Sequence, residues 1–598
     1  QIGNMAEERA AVLKHCDEVS KEIHESTLRK LNLFDSIRGK DVKESEIPFW
    51  DIVVVTAVDQ KQLTAYELQI EAKLGRGELP KGVVYKVVSD PTGPKIGNGG
   101  ATLHAIEQLE KDLGAEFLSQ SKILMLHAGG FSQRLPSASV LGKIFTAVPY
   151  GEPLYQMFEI KLALCIEFPQ HMAPGIFISC PDIMEPFSLK HGDWGFEKPG
   201  ITAIAHPSPF DIGTTHGVFI LADKPHVNCP NLSQLPSVTQ STCIKFLHKP
   251  SKERMYQANA VFLIVNEEYV YTDGEFYMDW ATTAKLLKLY KKLSPLGCEI
   301  DAFGDFLQAL GEDGDKEYCN NVANVVEVVP KLVETREKFY DELRGTQFNV
   351  LLFNKSKFYH IGTMTEYLEA FCDSLVMRYE MCLSNRAAVR CSGANNSLPS
   401  QPESTCVFSA TLDTNVTLGN RCVVEYSSIE SGVTIGDGSI VSNMMVTSGA
   451  TIPPGCFLHT VCVMVDKHDG LFVTVVFSIK DNVKKVMPVE KMNVLKYFER
   501  PLDVALKSLA IKQEDLWSNE CTMTNLWHAK LFPAFKSQKI SSSYAINMAH
   551  AVMTGDVIDD QASQFFAPNR LSMADIVKVK DVKGMLDFRE ELRKKLTL

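Results

Sequence analysis

The chain has 598 residues, 45% hydrophobic and 22% charged, with a formal net charge of −12. That length exceeds what one hydrophobic core holds, so several domains are expected. The acidic balance excludes a dedicated nucleic-acid binder, but not nucleotide binding, which needs only a local cluster of cations.

The 15 cysteines are scattered, with no CxxC and no zinc-ligand spacing, and read as free thiols in a reducing compartment. The longest apolar run, Leu471 to Ile479, is too short to span a bilayer, and the first residues form no signal-peptide core. A cytoplasmic protein with no membrane partner is expected.

In chain order, residues 1–45 read as a helical lead-in, with Val12, Cys16, Val19 and Ile23 at helical spacing. The β-branched run in Phe49 to Ala57 predicts a first buried strand, of the kind covered on both faces in parallel sheets. A helix follows over Lys61 to Leu74, then a second strand over Val83 to Asp90. That strand opens into a turn bearing Gly97, Gly99 and Gly100, and a helix begins near Ala101 with Leu103, Ile106, Leu109 and Leu113 as its buried stripe. A glycine turn feeding a helix N-terminus can hold an anion.

The strand around Ile123 to Leu126 runs into a loop with Gly129 and Gly130, which delivers Arg134 and then Lys143. Small residues let backbone N–H groups approach an oxyanion, and two nearby cations neutralise charge. The pattern suits a triphosphate attacked at an inner phosphorus. It is not a Walker A loop, because Ile144 follows Gly142-Lys143 and Ser137 stands where the first glycine belongs.

Further strands at Gly175 to Cys180, Ile201 to His206, Gly217 to Leu221 and Phe348 to Phe353 alternate with helices, predicting a doubly wound α/β domain over 46–385. Asp182, just past one strand, is either a Mg²⁺ ligand or an ordinary helix cap. Thr214, Thr215, His216 and Asp273 are polar groups at strand ends, where open α/β sheets bind ligands, or else turn chemistry.

Cys391 to Thr405 is small and polar and reads as a linker. Beyond it Val423, Ile429, Ile435 and Val441 recur every six residues. After a one-residue shift, Ile440, Val446, Ile452 and Leu458 do the same. This predicts a short β-helix over 386–480. Residues 481–598 have helical texture and show no chemistry. The few coils argue against an acyltransferase.

The loop HAGGFSQRL with Gly142-Lys143 resembles the signature loop of the sugar-nucleotide pyrophosphorylases, with Ser132 in place of the second glycine and Gly142 in place of a proline. FWDIVVVTA, KIGNGGATL, LGKIFTA, IGTTHGVF, FLHKPS, VYTDGEFYMD, CEIDAFGDFLQALG, KFYHIGT and LWHAKLFP resemble the branch that makes GDP-L-fucose, the fucose-1-phosphate guanylyltransferases. The resemblance implies an α/β doubly wound, GT-A-like nucleotidyltransferase domain, then a short left-handed β-helix and a mainly helical C-terminal segment. It implies that GTP and L-fucose 1-phosphate give GDP-L-fucose and pyrophosphate with Mg²⁺.

Carried over to these positions, it makes Arg134, Lys143 and Lys249 catalytic. Gly97, Gly99, Gly100, His127, Ala128, Gly129, Gly130, Ser132 and Gln133 would bind the nucleotide, and Thr215, His216, Asp273 and Asp305 the sugar. Asp182 would hold the metal. His360 stands where related enzymes carry a second metal aspartate, and Asp301 or Asp305 are the alternatives. His248 replaces an acid beside Lys249. Guanine preference rests on the resemblance alone. A pyrophosphorylase for another sugar and nucleotide, and a non-catalytic regulatory subunit, are the competing readings. An oligomer is possible.

Overall fold

The structure is a computed structural model that describes residues 16–189, 194–223, 231–322, 328–391, 402–465, 468–517, 522–558 and 570–597. Val12 and most of the expected linker, 392–401, lie outside them. The chain divides into two compact units, neither of them one contiguous stretch. The first comprises residues up to 129, 159–359 and 379–381; the second comprises 130–158, 360–378 and 382–598.

The first unit is built on a ten-stranded sheet. Its strands are β1 (Ile52–Ala57), β2 (Val84–Ser89), β3 (Lys122–Leu126), β4 (Gly175–Ser179), β5 (Ile201–Pro209), β6 (Gly217–Leu221), β7 (Val238–His248), β8 (Phe262–Ile264), β9 (Glu267–Asp279) and β10 (Phe348–Phe353). Along the sheet the order is β2-β1-β3-β4-β9-β5-β10-β7-β6, with β8 paired to β9. Strands β2, β1, β3 and β4 are parallel, in the registers Ile52↔Val84, Ile52↔Ile123 and Lys122↔Gly175. Every residue of β1 is buried, as expected of a strand covered on both faces.

The sheet is mixed, because β9 runs antiparallel between β4 and β5. Its register shifts between Asp273 and Phe276, so a bulge sits at Gly274 and Glu275. A β-carbon at Gly274 would stand 2.5 Å from a Glu185 oxygen and 2.6 Å from His206 Nε2.

The helix after β2 starts at Gly97, four residues before the expected Ala101, and buries Leu103, Ala105, Ile106 and Leu109. Glycines are poor helix formers, but packing by a distant segment holds this first turn. The N-terminal lead-in is a helix over Glu18–Ile37, capped by Asp17, which accepts from Ser20 N at 2.7 Å.

The second unit holds a three-faced stack of short parallel strands. Cys406 pairs with Val423, Val423 with Ile440, and Ile440 with Phe457 on one face. Thr411, Ser428 and Met445 align on the next, and Thr417, Thr434 and Thr451 on the third. Each coil advances 17 residues. Three hexads would need about 18; one side is a residue short. That deficit is the shift from Val441 to Ile440 visible in the sequence.

The corners have a common cause. Ser409, Tyr426 and Asn443 repeat at one corner, Asn415, Gly432 and Gly449 at another, and Arg421, Gly438 and Gly455 at the third, all with positive φ. A sharp turn between flat faces needs left-handed backbone, which glycine and asparagine adopt cheaply. The stack ends in a long hairpin, Cys456–Val465 with His468–Ser478, so the apolar run at Leu471 is a strand. Helices Gln538–Thr554, Met573–Val579 and Val582–Thr597 follow.

Candidate active site

In the first unit His127 to Gly129 follow β3 and Asp182 follows β4, while Gly97 to Gly100 follow β2 and Lys249 follows β7. His127 follows β3 directly. Its N–H donates to Ser179 O at 3.0 Å and its Nε2 lies 3.0 Å from Thr102 Oγ1. Burial pulls its pKa down to about 4, against an opposing pull from Asp301, so the imidazole is neutral. The Ala128 carbonyl accepts from Tyr66 Oη at 2.8 Å. Gly129 passes close to the chain after β1; a β-carbon there would lie 3.5 Å from Val58 N.

The first glycine turn has a partner of its own. The N–H groups of Gly99 and Gly100 both point at the Ile300 carbonyl, at 2.8 and 3.3 Å, and Asn98 Oδ1 accepts from Ala302 N at 2.8 Å. A β-carbon on Gly99 would stand 2.9 Å from Ile300 O. These two glycines admit the 299–302 segment against the helix start, and their N–H groups are spent there.

Around them lies a small cavity lined by Gly97, His248, Asp301, Asp305, Tyr318 and Arg336. Asp301 caps the following turn through Phe303 N and Gly304 N, at 2.8 and 2.7 Å. Its charge reaches His127, His248 and Asp273, so these groups share one electrostatic neighbourhood. Asp305 is buried and lies 2.9 Å from Arg336 Nε. Burial lifts its pKa to about 7 despite Arg336. The structure therefore turns this expected sugar contact towards Arg336, a residue the sequence pattern did not flag.

Lys249 follows β7 on a left-handed backbone, φ +50, and its N–H donates to His216 O at 3.0 Å. Its side chain is exposed and has no ion-pair partner among the described residues. Beside it Gly217 N donates to Asp273 Oδ1 at 2.7 Å. Burial, with Asp301 and Glu185, pushes Asp273 up to about 6, against His216 and that N–H. Thr215 Oγ1 donates to Ile212 O at 3.0 Å and Thr214 Oγ1 to Asp211 O at 2.8 Å, which is turn chemistry.

Behind the bulge lies a buried ionic network that sequence reasoning missed. Lys161 Nζ is 2.8 Å from Glu275 Oε1 and 3.9 Å from Glu185 Oε2; His206 Nε2 is 3.3 Å from Glu185 Oε1; Ser179 donates to Glu275. Glu275, a carboxylate just before the apolar Phe276, Tyr277 and Met278, was the available signal.

Asp182 lies on the loop between β4 and Glu185. Among the described residues no three His, Cys, Asp or Glu side chains converge as a metal site. Mg²⁺ bound by one or two carboxylates together with phosphate oxygens needs no such set, so Asp182 fits the role. Of the alternatives, Asp301 caps the turn that follows it and Asp305 faces Arg336.

In the second unit the loop continues through Gly130, Ser132, Gln133 and Arg134. Ser132 takes φ +44, and its carbonyl accepts from Leu135 N at 2.9 Å and Ser139 Oγ at 3.1 Å. Arg134 is exposed, without an ion pair among the described residues. Its carbonyl accepts from Met364 N at 3.0 Å. A short helix, Pro136–Leu141, ends at Gly142 (φ +97), and Lys143 opens the next turn, half-buried.

His360 belongs to the brace behind Arg134: its Nδ1 lies 3.1 Å from Glu366 Oε2, which also accepts from Gly362 N at 2.9 Å. Burial raises the Glu366 pKa, but these contacts outweigh it and hold it at about 2. The histidine at the expected second metal position thus faces the Glu366 carboxylate.

A family model described as the fucose pyrophosphorylase domain matches residues 115–537. The chain is 39% identical over 591 residues to the fucose-1-phosphate guanylyltransferase of Mus musculus, covering 95% of this chain and 97% of that protein. It is equally similar to that of Homo sapiens, 39% over 600 residues, covering 96% and 95%. To the bifunctional fucokinase/GDP-fucose pyrophosphorylase of Arabidopsis thaliana it is 26% identical over 540 residues, 82% of this chain and 47% of that protein.

Proposed function

This chain belongs to the fucose pyrophosphorylase family, and from that premise we propose that it transfers GMP from GTP to L-fucose 1-phosphate, releasing pyrophosphate and GDP-L-fucose. The observation that carries this reading is the 39% identity to two fucose-1-phosphate guanylyltransferases over 95% and 96% of the chain. The signature loop retains both of its cations, Arg134 and Lys143.

The attacking sugar phosphate is already an anion, so the reaction needs no general base. Catalysis reduces to alignment and charge neutralisation. In the mechanism we infer, a fucose 1-phosphate oxygen attacks the α-phosphorus in line as pyrophosphate departs opposite. Arg134 and Lys143 stabilise the triphosphate, and Lys249, exposed and without an ion-pair partner among the described residues, holds the attacking phosphate as a point charge. His127, neutral and fixed by Thr102, lines the nucleotide side without adding charge. Mg²⁺, held by Asp182 with phosphate oxygens, would neutralise phosphate charge when bound.

The thirteen cysteines among the described residues are all free, which supports a reducing, cytoplasmic setting. Among the described residues no helix is long and apolar enough to cross a membrane.

Pyrophosphate release with GTP and L-fucose 1-phosphate, run beside UTP, ATP and other sugar 1-phosphates, tests the reading. Turnover confined to the GTP and fucose 1-phosphate pair is expected. Faster turnover with another pair would overturn the substrate assignment, and no turnover with any pair would favour a regulatory subunit.

A further inference from the structure

The C-terminal segment shows no chemistry of its own, yet within the second unit it grips the signature loop at two places. Lys580 follows helix Met573–Val579, and its Nζ donates to Val140 O at 2.6 Å. Val140 is in the last turn of Pro136–Leu141, where a carbonyl lies too near the helix end to be met by an N–H four residues on within the helix. A cation there also meets the negative end of the helix. Two residues on, Gly142 reverses the chain and presents Lys143.

Lys580 is itself fixed, since it bridges to Val463 of the long hairpin, while Asp581 N donates to Cys462 O at 2.8 Å. At the other end of the loop, the buried Trp527 ring stands 6.5 Å from the exposed Phe131 ring, and Trp527 N donates to Val483 O at 3.2 Å. A six-residue helix is too short to hold its own geometry, so what fixes it must come from outside.

We propose that Lys580, seconded by Trp527, is a positioning residue that sets where Lys143 stands when the triphosphate binds. The C-terminal segment is thereby a functional part of the nucleotide site. The inference rests on the pyrophosphorylase reading for its activity readout, but the clamp also has a readout that needs no turnover.

The test uses the full chain with Lys580→Met, Lys580→Arg and Trp527→Leu. Lys580→Met is expected to lower kcat/KM for GTP about 10–100-fold, by misplacing a binding cation, and to leave KM for L-fucose 1-phosphate unchanged. Lys580→Arg, which can still donate to Val140 O, should recover most of the loss. Hydrogen exchange in the 136–143 peptide should quicken in Lys580→Met and stay slow in Lys580→Arg.

Should Lys580→Met fail to fold, Trp527→Leu is read in the same way. Wild-type kinetics in a folded Lys580→Met with unchanged exchange would overturn the clamp, as would an equal loss for both substrates with no rescue by arginine. A wild-type chain that releases no pyrophosphate defeats the functional reading; the exchange comparison then decides the clamp alone.

Discussion

Two regions carry charge in opposite ways. In the first unit Lys161, Glu275, Glu185 and His206 are buried together, with Lys161 facing both carboxylates and His206 facing Glu185. In the second, Arg134 stands exposed on its loop with no ion pair among the described residues, while its backbone is tied down by Met364. A buried charge must be paired within the protein, because water is not there to solvate it. An exposed cation on a braced backbone keeps its charge for an incoming anion. The contrast separates charges that hold the bulged strand from charges that, under the proposed function, meet substrate.

Breaking the buried side gives the largest expected effect. Glu275→Leu removes the nearer of the two carboxylates facing the Lys161 ammonium, leaving only Glu185 at 3.9 Å, and should lower stability by about 3–5 kcal/mol, seen as an earlier urea midpoint. The double variant Lys161→Met with Glu275→Leu should recover most of that. If the single and double variants unfold alike, the pair does not matter as argued.

On the exposed side, Arg134→Ala and Lys143→Ala should each cut kcat by about 10²–10³-fold with the unfolding midpoint nearly unmoved. Unaltered turnover in either would remove that residue from the triphosphate site. Lys249→Ala sharpens the division of labour: KM for the sugar phosphate should rise about tenfold, the loss of one ionic contact worth about 1.4 kcal/mol, while KM for GTP stays put. A rise confined to GTP would reverse its assignment.

The smallest effect is a pH dependence. His459, fully buried in the stacked coils and 2.9 Å from Ser442 Oγ, has its pKa lowered to about 3 by burial, helped by Arg589. Below about pH 6.5 the unfolded chain binds a proton that the folded chain refuses, so stability falls as pH falls. The loss is about 1.4 kcal/mol by about pH 5.5. His459→Asn should flatten that slope in urea titrations across pH; an unchanged slope would place its origin elsewhere, His127 being the counterpart in the first unit.

The apolar runs at Ile52, Ile123, Gly175, Ile201, Gly217 and Phe348 declare their strands, because a strand covered on both faces is mostly apolar. The six-residue recurrence of Val423 and Ile429 declares the coils for the same reason. Strand β9 was not legible: Asp273 and Glu275 break its pattern, and they are tolerated only because Gly217, Ser179 and Lys161 meet them in space.

Arg134 and Lys143 stand out in the sequence as cations delivered by a glycine-bearing loop, and Lys249 only through the resemblance to a family motif. The partners of Gly99, Asp305 and His360 were not legible there. Ile300 and Arg336 come from distant sequence, and Glu366, though near His360, meets it only once the turn is folded. Local pattern and chemical type are written along the chain, because burial and charge act residue by residue. Which charges are spent and which stay available is decided only by contacts between segments far apart in sequence, and those exist only once the chain has folded.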